Sequence, residues 1–328
     1  MPLAVFSSGA EWAARFGASG RGSVVTIGNF DGMHLGHQAV LRKVVQRARA
    51  LRAVATAVTF DPPPLKVLRP AAVPPRIFTN EQRLECFREL GLEAAVVLRF
   101  DRVLAQIRAE DFVREVLAAR LRPRAVFVGE NFCFGRGRAG DAALLRRLGP
   151  GLGFQVEVVP AARYGNEVVS STAVRRAVAE GDVGRAARFL GRPFTLTGEI
   201  RAGSGTGRKF VFPTLNLSPE QELLPLPGVY VTETYVGSGA FRSVTNIGRR
   251  PTFNGSSLSI ESHLLGFSQR LTHGRMEIRF WKRLRDEKRF PDAAALRAQI
   301  ARDIARAERF FARLDKSVSK GDPLRAAR

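Results

Sequence analysis

Apolar positions in the first half of the chain come in short, nearly unbroken runs. The runs SVVTIGNF (23–30), AVATAVTF (53–60), AAVVLRF (94–100), AVFVGENF (125–132) and FQVEVVP (154–160) read as strands. Between them, segments 34–51, 79–90, 103–120 and 139–149 repeat their apolar residues at helical spacing. Strand and helix alternating in this way predict parallel βαβ units and an α/β, doubly wound sheet. A helical pair, 170–180 and 182–190, closes this half.

After LGRPF (190–194) the texture changes. The runs FTLTGEI, PTLNLS, GVYVTETYVG, FRSVTNIG, SLSIESHLLGF and RMEIRFWKRL lie close together, separated by GSGTG, LPLPG, GSGA and FNGSS. Short alternating runs with Gly- and Pro-rich turns predict a small antiparallel barrel. One amphipathic helix follows, with Leu296, Ile300, Ile304, Phe311 and Leu314 on one side. The pattern divides the chain into a domain over 1–184, a second over 185–315 and a disordered tail over 316–328.

Composition changes this picture little. The chain has 328 residues, ordinary for two domains, and 45% of them are hydrophobic. No apolar run is long enough to span a membrane. The first residues lack the basic start and apolar stretch of a secretory signal. Cys86 and Cys133 stand far apart without metal-type spacing and read as reduced thiols. These features predict a soluble, cytoplasmic protein; self-association is left open. The net charge of +22 is carried by arginine, with lysine supplying only seven of the 52 basic residues. A basic balance of this size raises nucleic-acid binding as a rival reading. The arginines, however, are interleaved with alanine along helical faces and form no block of five, so they predict a solvated surface and no specific nucleic-acid partner.

Two segments carry candidate chemistry. TIGNFDGMHLGHQAVL (26–41) follows the first predicted strand and opens the first helix. That is the ligand-binding end of an open α/β sheet. Gly28 and Gly32 allow close backbone approach, and a helix N-terminus favours phosphate. His34 and His37, three apart, face one side of the first turn and can donate to one anion. No third residue completes a zinc set with them. In the barrel half, GSGTGRKFVFPTLNL (203–217) joins a Gly-rich loop, with Gly203, Gly205 and Gly207, to Pro-Thr-x-Asn. Thr214 and Asn216 are two apart on a strand and share a face, with oxygen donors suited to Mg²⁺. Glu261 is an acid inside an otherwise apolar strand, expected on its buried side, which suggests a functional carboxylate.

GNFDGMHLGH resembles the HxGH signature of nucleotidylyltransferases, in the form found in prokaryotic bifunctional riboflavin kinase/FAD synthetases. The resemblance extends in order from about residue 20 to 314. It includes VGENFCFGRGRAGD (128–141), SSTAVR (170–175), PTLN, the E-x-H strand, NIGRRPTF (246–253) and RLRDEKRF (283–290). It implies a Rossmann-like nucleotidylyltransferase domain followed by a flavokinase barrel with a C-terminal helix. It further implies that His34 and His37 act in adenylyl transfer, with Gly28, Phe30, Asp31, Gly36, Ser171, Thr172 and Arg175 at the nucleotide. Asn131, Phe134, Arg285 and Glu287 would lie near flavin. Glu261 would be the catalytic base of the kinase, and Gly203, Gly205, Gly207, Thr214 and Asn216 would hold Mg-ATP. The implied substrates and products are riboflavin, FMN, FAD and ATP. Three positions depart from the family pattern: Pro63 in FDPPP stands where a histidine is usual, Ala173 where an arginine is, and Gly266 where an aspartate is common. Pro63 motivates a second reading, a riboflavin kinase with an impaired adenylyltransferase-like module.

Overall fold

The computed structural model describes residues 2–201, 214–252, 255–267 and 271–318, leaving aside the side chains of 249–252, 255–257 and 318. The chain separates into two compact units, 1–169 and 170–328.

The first unit is built on a six-stranded, all-parallel sheet. Its order is Ala4–Phe6, Ala94–Arg99, Val54–Asp61, Ser23–Ile27, Pro123–Gly129, Gln155–Val159. All five residues of Ser23–Ile27 are buried, as a central strand covered on both faces requires. Strand order reverses beside it: the chain moves outward through Val54–Asp61 and Ala94–Arg99, then crosses to Pro123–Gly129. The loops after Ser23–Ile27 and Pro123–Gly129 therefore emerge side by side at a topological switch point. Sequence patterning located five of these strands but missed the three-residue edge strand Ala4–Phe6 and the helix Gly9–Phe16. Trp12 of that helix is buried, and its indole N–H donates to Thr56 Oγ1 at 3.2 Å.

The helix expected over 103–120 is broken. Arg102–Gln106 ends at Ile107, whose extended backbone turns its carbonyl to Arg136 N–H at 2.8 Å. The chain resumes as Ala109–Asp111 and a π-helical segment, Phe112–Leu121. The interruption docks the 129–141 stretch, an interaction that helical periodicity does not record. The helix Asn80–Glu89 starts at a capping box, Thr79 with Gln82.

The second unit is a closed six-stranded antiparallel barrel. Its order is Phe194–Arg201, Leu215–Pro219, Gly255–Leu264, Gly239–Thr252, Gly228–Val236, Arg275–Arg285. Phe194, Leu196, Tyr230, Ile247, Ile260, Ile278 and Phe280 fill its interior. The helix Ala293–Val318 covers one outer face, packing Phe310, Phe311 and Leu314 on Val229, Val231, Val244 and Trp281. It extends through Val318, into the segment expected as tail; residues 319–328 lie outside the described residues.

The helices Ser171–Ala179 and Val183–Leu190, attached to the first domain by the sequence reading, fall in the second compact unit. Leu226 N–H donates to Val178 O at 3.3 Å, and the fully buried Val183, Ala186, Ala187 and Leu190 turn one strongly apolar face into the unit.

Candidate active sites

The histidine loop is held in an unusual backbone conformation. Phe30, Gly32 and Met33 have φ of 50°, 78° and 47°. Left-handed conformation at a non-glycine residue costs about 1–3 kcal/mol and persists only where packing over-determines it. Phe30 and Met33 are both buried, and the Phe30 ring meets Phe87 and His37 edge-on with centroids 5.3 Å apart in each case. The strained turn delivers His34 as N-cap of the helix Leu35–Leu51.

His34 Nδ1 accepts the His37 backbone N–H at 3.4 Å. A ring nitrogen that accepts carries no proton, so the neutral His34 tautomer has its N–H at Nε2. The two imidazoles stack, with centroids 3.7 Å apart and planes 19° apart. Gly36 makes this possible: a Cβ there would sit 3.1 Å from His34 Cε1 and 3.2 Å from Nδ1. Burial, and then the neighbouring His34, push the His37 imidazole well below the usual histidine range. The ring is therefore neutral at physiological pH. Its Nδ1 is buried without a hydrogen-bond partner.

Asp31 accepts backbone N–H groups from Ile77 at 3.0 Å and Phe78 at 3.1 Å, which ties the 77–78 segment to the loop. The Phe30 ring, implied to lie at the nucleotide, is part of the core.

Sequence reasoning missed Arg83, which is 6% exposed. Its guanidinium donates to Asn29 O at 3.0 Å, Phe60 O at 3.3 Å and Asn80 Oδ1 at 2.8 Å. One cation thus joins the loop after Ser23–Ile27 to the end of the neighbouring strand Val54–Asp61. Burial lowers its pKa, opposed by Asp61 and Asp31. An arginine in a helical pattern looks like surface charge, and only the carbonyls it meets reveal the role.

Pro63 caps the short helix Pro64–Leu68, its carbonyl accepting Lys66 N–H at 2.8 Å. Arg76 Nη1 lies 4.0 Å from Asp61 Oδ1, two residues before Pro63, whereas Arg69 is exposed. Beyond Gly129, Asn131 is exposed. Phe134 is buried, stacked on the partly exposed Phe132 at 5.4 Å. A Cβ added at Gly129 would meet open space.

Ser171, Thr172 and Arg175 occupy the first turns of the helix Ser171–Ala179 in the second unit. The cap is Ser170, whose Oγ accepts Ala173 N–H at 3.2 Å.

In the barrel, strand register assembles a second constellation. Asn216 and Asn246 each lie directly opposite Glu261 on the two flanking strands. Directly opposed residues share a face. Leu215, Leu217, Ile260 and Ser262 point inward, so the row Asn216–Glu261–Asn246 lies on the outer face. Glu261 is partly exposed, which corrects the expectation that it stands on the buried side. Thr214, two residues before Asn216, immediately precedes its strand. Glu287 reaches the same row: its carboxylate overlies Gly248, where a Cβ would collide with Oε1 and stand 3.0 Å from Asn246 Nδ2. Arg285 is engaged elsewhere, with Nε 2.9 Å from Oδ2 of Asp303, itself 1% exposed on the C-terminal helix. Gly203, Gly205 and Gly207 lie outside the described residues. A cavity of about 850 Å³, lined in part by Phe241, Phe267, Leu271 and His273, opens at the barrel end beside the Val236–Gly239 turn.

Stacked donors at a helix N-terminus and an acid flanked by oxygen donors are both arrangements for handling phosphate and hydroxyl groups. Together with the two folds they mark a two-site transferase. The FAD synthetase family model matches residues 17–173, and the riboflavin kinase model residues 190–311. Bifunctional riboflavin kinase/FMN adenylyltransferases are similar along most of the chain. The Escherichia coli K12 protein is 36% identical, covering 88% of this chain and 93% of its own. The Haemophilus influenzae protein is 34% identical, covering 89% and 95%. The chain belongs to the bifunctional riboflavin kinase/FMN adenylyltransferase family. A Streptococcus pneumoniae structure titled as a macrolide-efflux protein shares the fold, with a TM-score of 0.81 and 23% identity over 94% of this chain and 99% of that one.

Proposed function

We propose that the chain makes FMN and then FAD. In the barrel, the terminal ribityl hydroxyl of riboflavin attacks the γ-phosphorus of ATP, and ADP leaves. Glu261 accepts the hydroxyl proton, the step an alcohol nucleophile most needs. Thr214 and Asn216 supply the hard oxygen donors that Mg²⁺ takes beside substrate phosphates, and the ion neutralises phosphate charge when bound. Asn246 and Glu287 flank the reacting hydroxyl. The observation that carries this assignment is the register setting Asn216 and Asn246 on either side of Glu261.

In the sheet domain, an FMN phosphate oxygen attacks the α-phosphorus of a second ATP, and pyrophosphate leaves. The attacker is already anionic, so no protein base is required. His34, through Nε2–H, and His37 donate to the phosphate oxygens, where charge builds in the transition state. The Gly28 and Gly36 backbone lines the nucleotide path. Asn131 and the Phe132–Phe134 pair are assigned to the flavin side. Ser171, Thr172 and Arg175 are assigned to nucleotide phosphate on the family resemblance. The family match across 17–173 favours both activities over a kinase alone. A cytoplasmic location suits a chain that consumes ATP twice.

Riboflavin with Mg-ATP, products separated over time, tests the whole reading. FMN should appear first and FAD second. FMN accumulating without FAD would remove the first domain's assignment, and no FMN would remove the second's.

A further inference from the structure

Five hydroxyls meet inside the barrel, directly behind the Glu261 row. Thr232 and Thr234 come from the strand Gly228–Val236, Ser243 and Thr245 from Gly239–Thr252, and Ser262 from Gly255–Leu264. All five are fully buried. Their oxygens form a closed cycle: Thr232 to Ser243 2.8 Å, Ser243 to Thr234 2.8 Å, Thr234 to Ser262 2.8 Å, Ser262 to Thr245 3.0 Å, Thr245 to Thr232 2.7 Å. Five links need five protons, and five hydroxyls supply one each. Every hydroxyl can donate once and accept once around the ring. Ser243 Oγ can also donate to the Thr232 carbonyl at 3.0 Å, and all five links of the ring are filled only when its proton goes to a neighbouring hydroxyl instead.

The ring solves a problem that apolar patterning leaves open. Alternation fixes which face of a strand points inward, because a one-residue slip turns every side chain over. A slip of two residues preserves the alternation. It would put Ile260 or Leu264 where Ser262 stands and break the cycle, leaving buried hydroxyls unpaired, which is costly. The same slip would carry Glu261 about 7 Å along its strand, away from Asn216 and Asn246.

We propose that Thr232, Thr234, Ser243, Thr245 and Ser262 are positioning residues of the kinase site: their ring selects the one register that presents Glu261 between Asn216 and Asn246. The proposal rests on the reading of Glu261 as base.

Thr245→Val keeps the shape and removes one hydroxyl, and Thr245→Ser restores it. Displacing a reacting group by about 1 Å can cost about a hundredfold. Thr245→Val should therefore lower kcat for FMN formation by about ten- to a hundredfold, with FMN adenylylation unchanged. Thr245→Ser should recover most of the loss. The acid limb of the kcat–pH profile should also move in Thr245→Val. A smaller folded fraction would scale that profile without moving it. Normal kcat in a folded Thr245→Val, or a loss that only scales the profile, overturns the proposal. A second measurement needs no variant. In the wild-type chain, NMR of labelled Thr and Ser should show slowly exchanging hydroxyl protons at these five residues, and rapid exchange overturns the ring. If Glu261→Gln retains FMN formation while the hydroxyls stay protected, it is the base assignment that fails and not the ring.

Discussion

The two sites are built on opposite principles. In the parallel sheet, the proposed chemistry gathers where strands end. One loop and one helix turn supply His34 and His37, and the strained backbone at Phe30 and Met33 aims them. In the barrel, the proposed chemistry lies on the side of the strands. Asn216, Asn246 and Glu261 come from three strands and meet only because the ladder holds them opposite one another. The first site depends on local geometry and the second on register. A defect in one should therefore leave the other working.

The largest separation should come from Glu261→Gln. Loss of a general base costs about a hundred- to ten-thousandfold. FMN formation should fall by that much, while FAD formation from added FMN stays near normal. Assaying the two half-reactions on one preparation checks this; equal losses would mean the sites are not independent.

His34→Ala and His37→Ala should do the reverse. Removing one preorganised donor costs about a hundred- to a thousandfold in adenylyl transfer. FMN production should persist in both variants. A smaller effect is expected from Gly36→Ala, which pushes a methyl group against the His34 ring without removing a donor. Its loss of adenylyl transfer should be about tenfold or less. If Gly36→Ala costs as much as His34→Ala, the glycine does more than make room.

The smallest effect concerns pH. His37 is held below the usual histidine pKa, so below about pH 6.5 the unfolded chain takes up a proton that the native chain refuses. The stability that the neutral ring contributes is complete above that pH. It is lost as pH falls toward the native pKa. Urea unfolding at about pH 7.5 and 5.5 should show this slope, and His37→Phe should flatten it. An identical slope in the variant would assign the proton uptake to another group.

The difference between the sites also explains what the sequence could reveal. His34, Gly36 and His37 are neighbours in the chain, so motif and helix start coincide and the site is legible. The five main strands of the sheet and the six runs of the barrel are likewise legible from apolar spacing. Glu261 was recognisable as an odd acid, but not its face, because the strand that carries it buries Ile260 and Ser262 instead. Asn246 stands out in the sequence only as part of a family stretch, since its proposed role depends on a cross-strand neighbour. Arg83 reads as surface charge among many arginines, and Arg285 stands out only as part of the family stretch RLRDEKRF. Their partners, backbone carbonyls in one case and Asp303 in the other, are distant in sequence. The break in the 103–120 helix was hidden for the same reason.

The helix Ser171–Ala179 bears on where the chain can be cut. It is fastened to the barrel unit through Val178 O, and Gly181 just beyond it abuts the Arg283 side chain. A recombinant fragment beginning at residue 185 would strip this helix away. Leu226 N–H would lose its acceptor, and the apolar faces of Val174 and Val178 would no longer cover their neighbours. A fragment beginning at residue 170 keeps all of these contacts. Limited proteolysis should accordingly nick the chain ahead of Ser170 and release a protease-resistant piece that still phosphorylates riboflavin. The severable joint would then lie before the serine cap and not after the helix pair, so a gene fusion or domain transplant that respects the fold would carry both helices with the barrel.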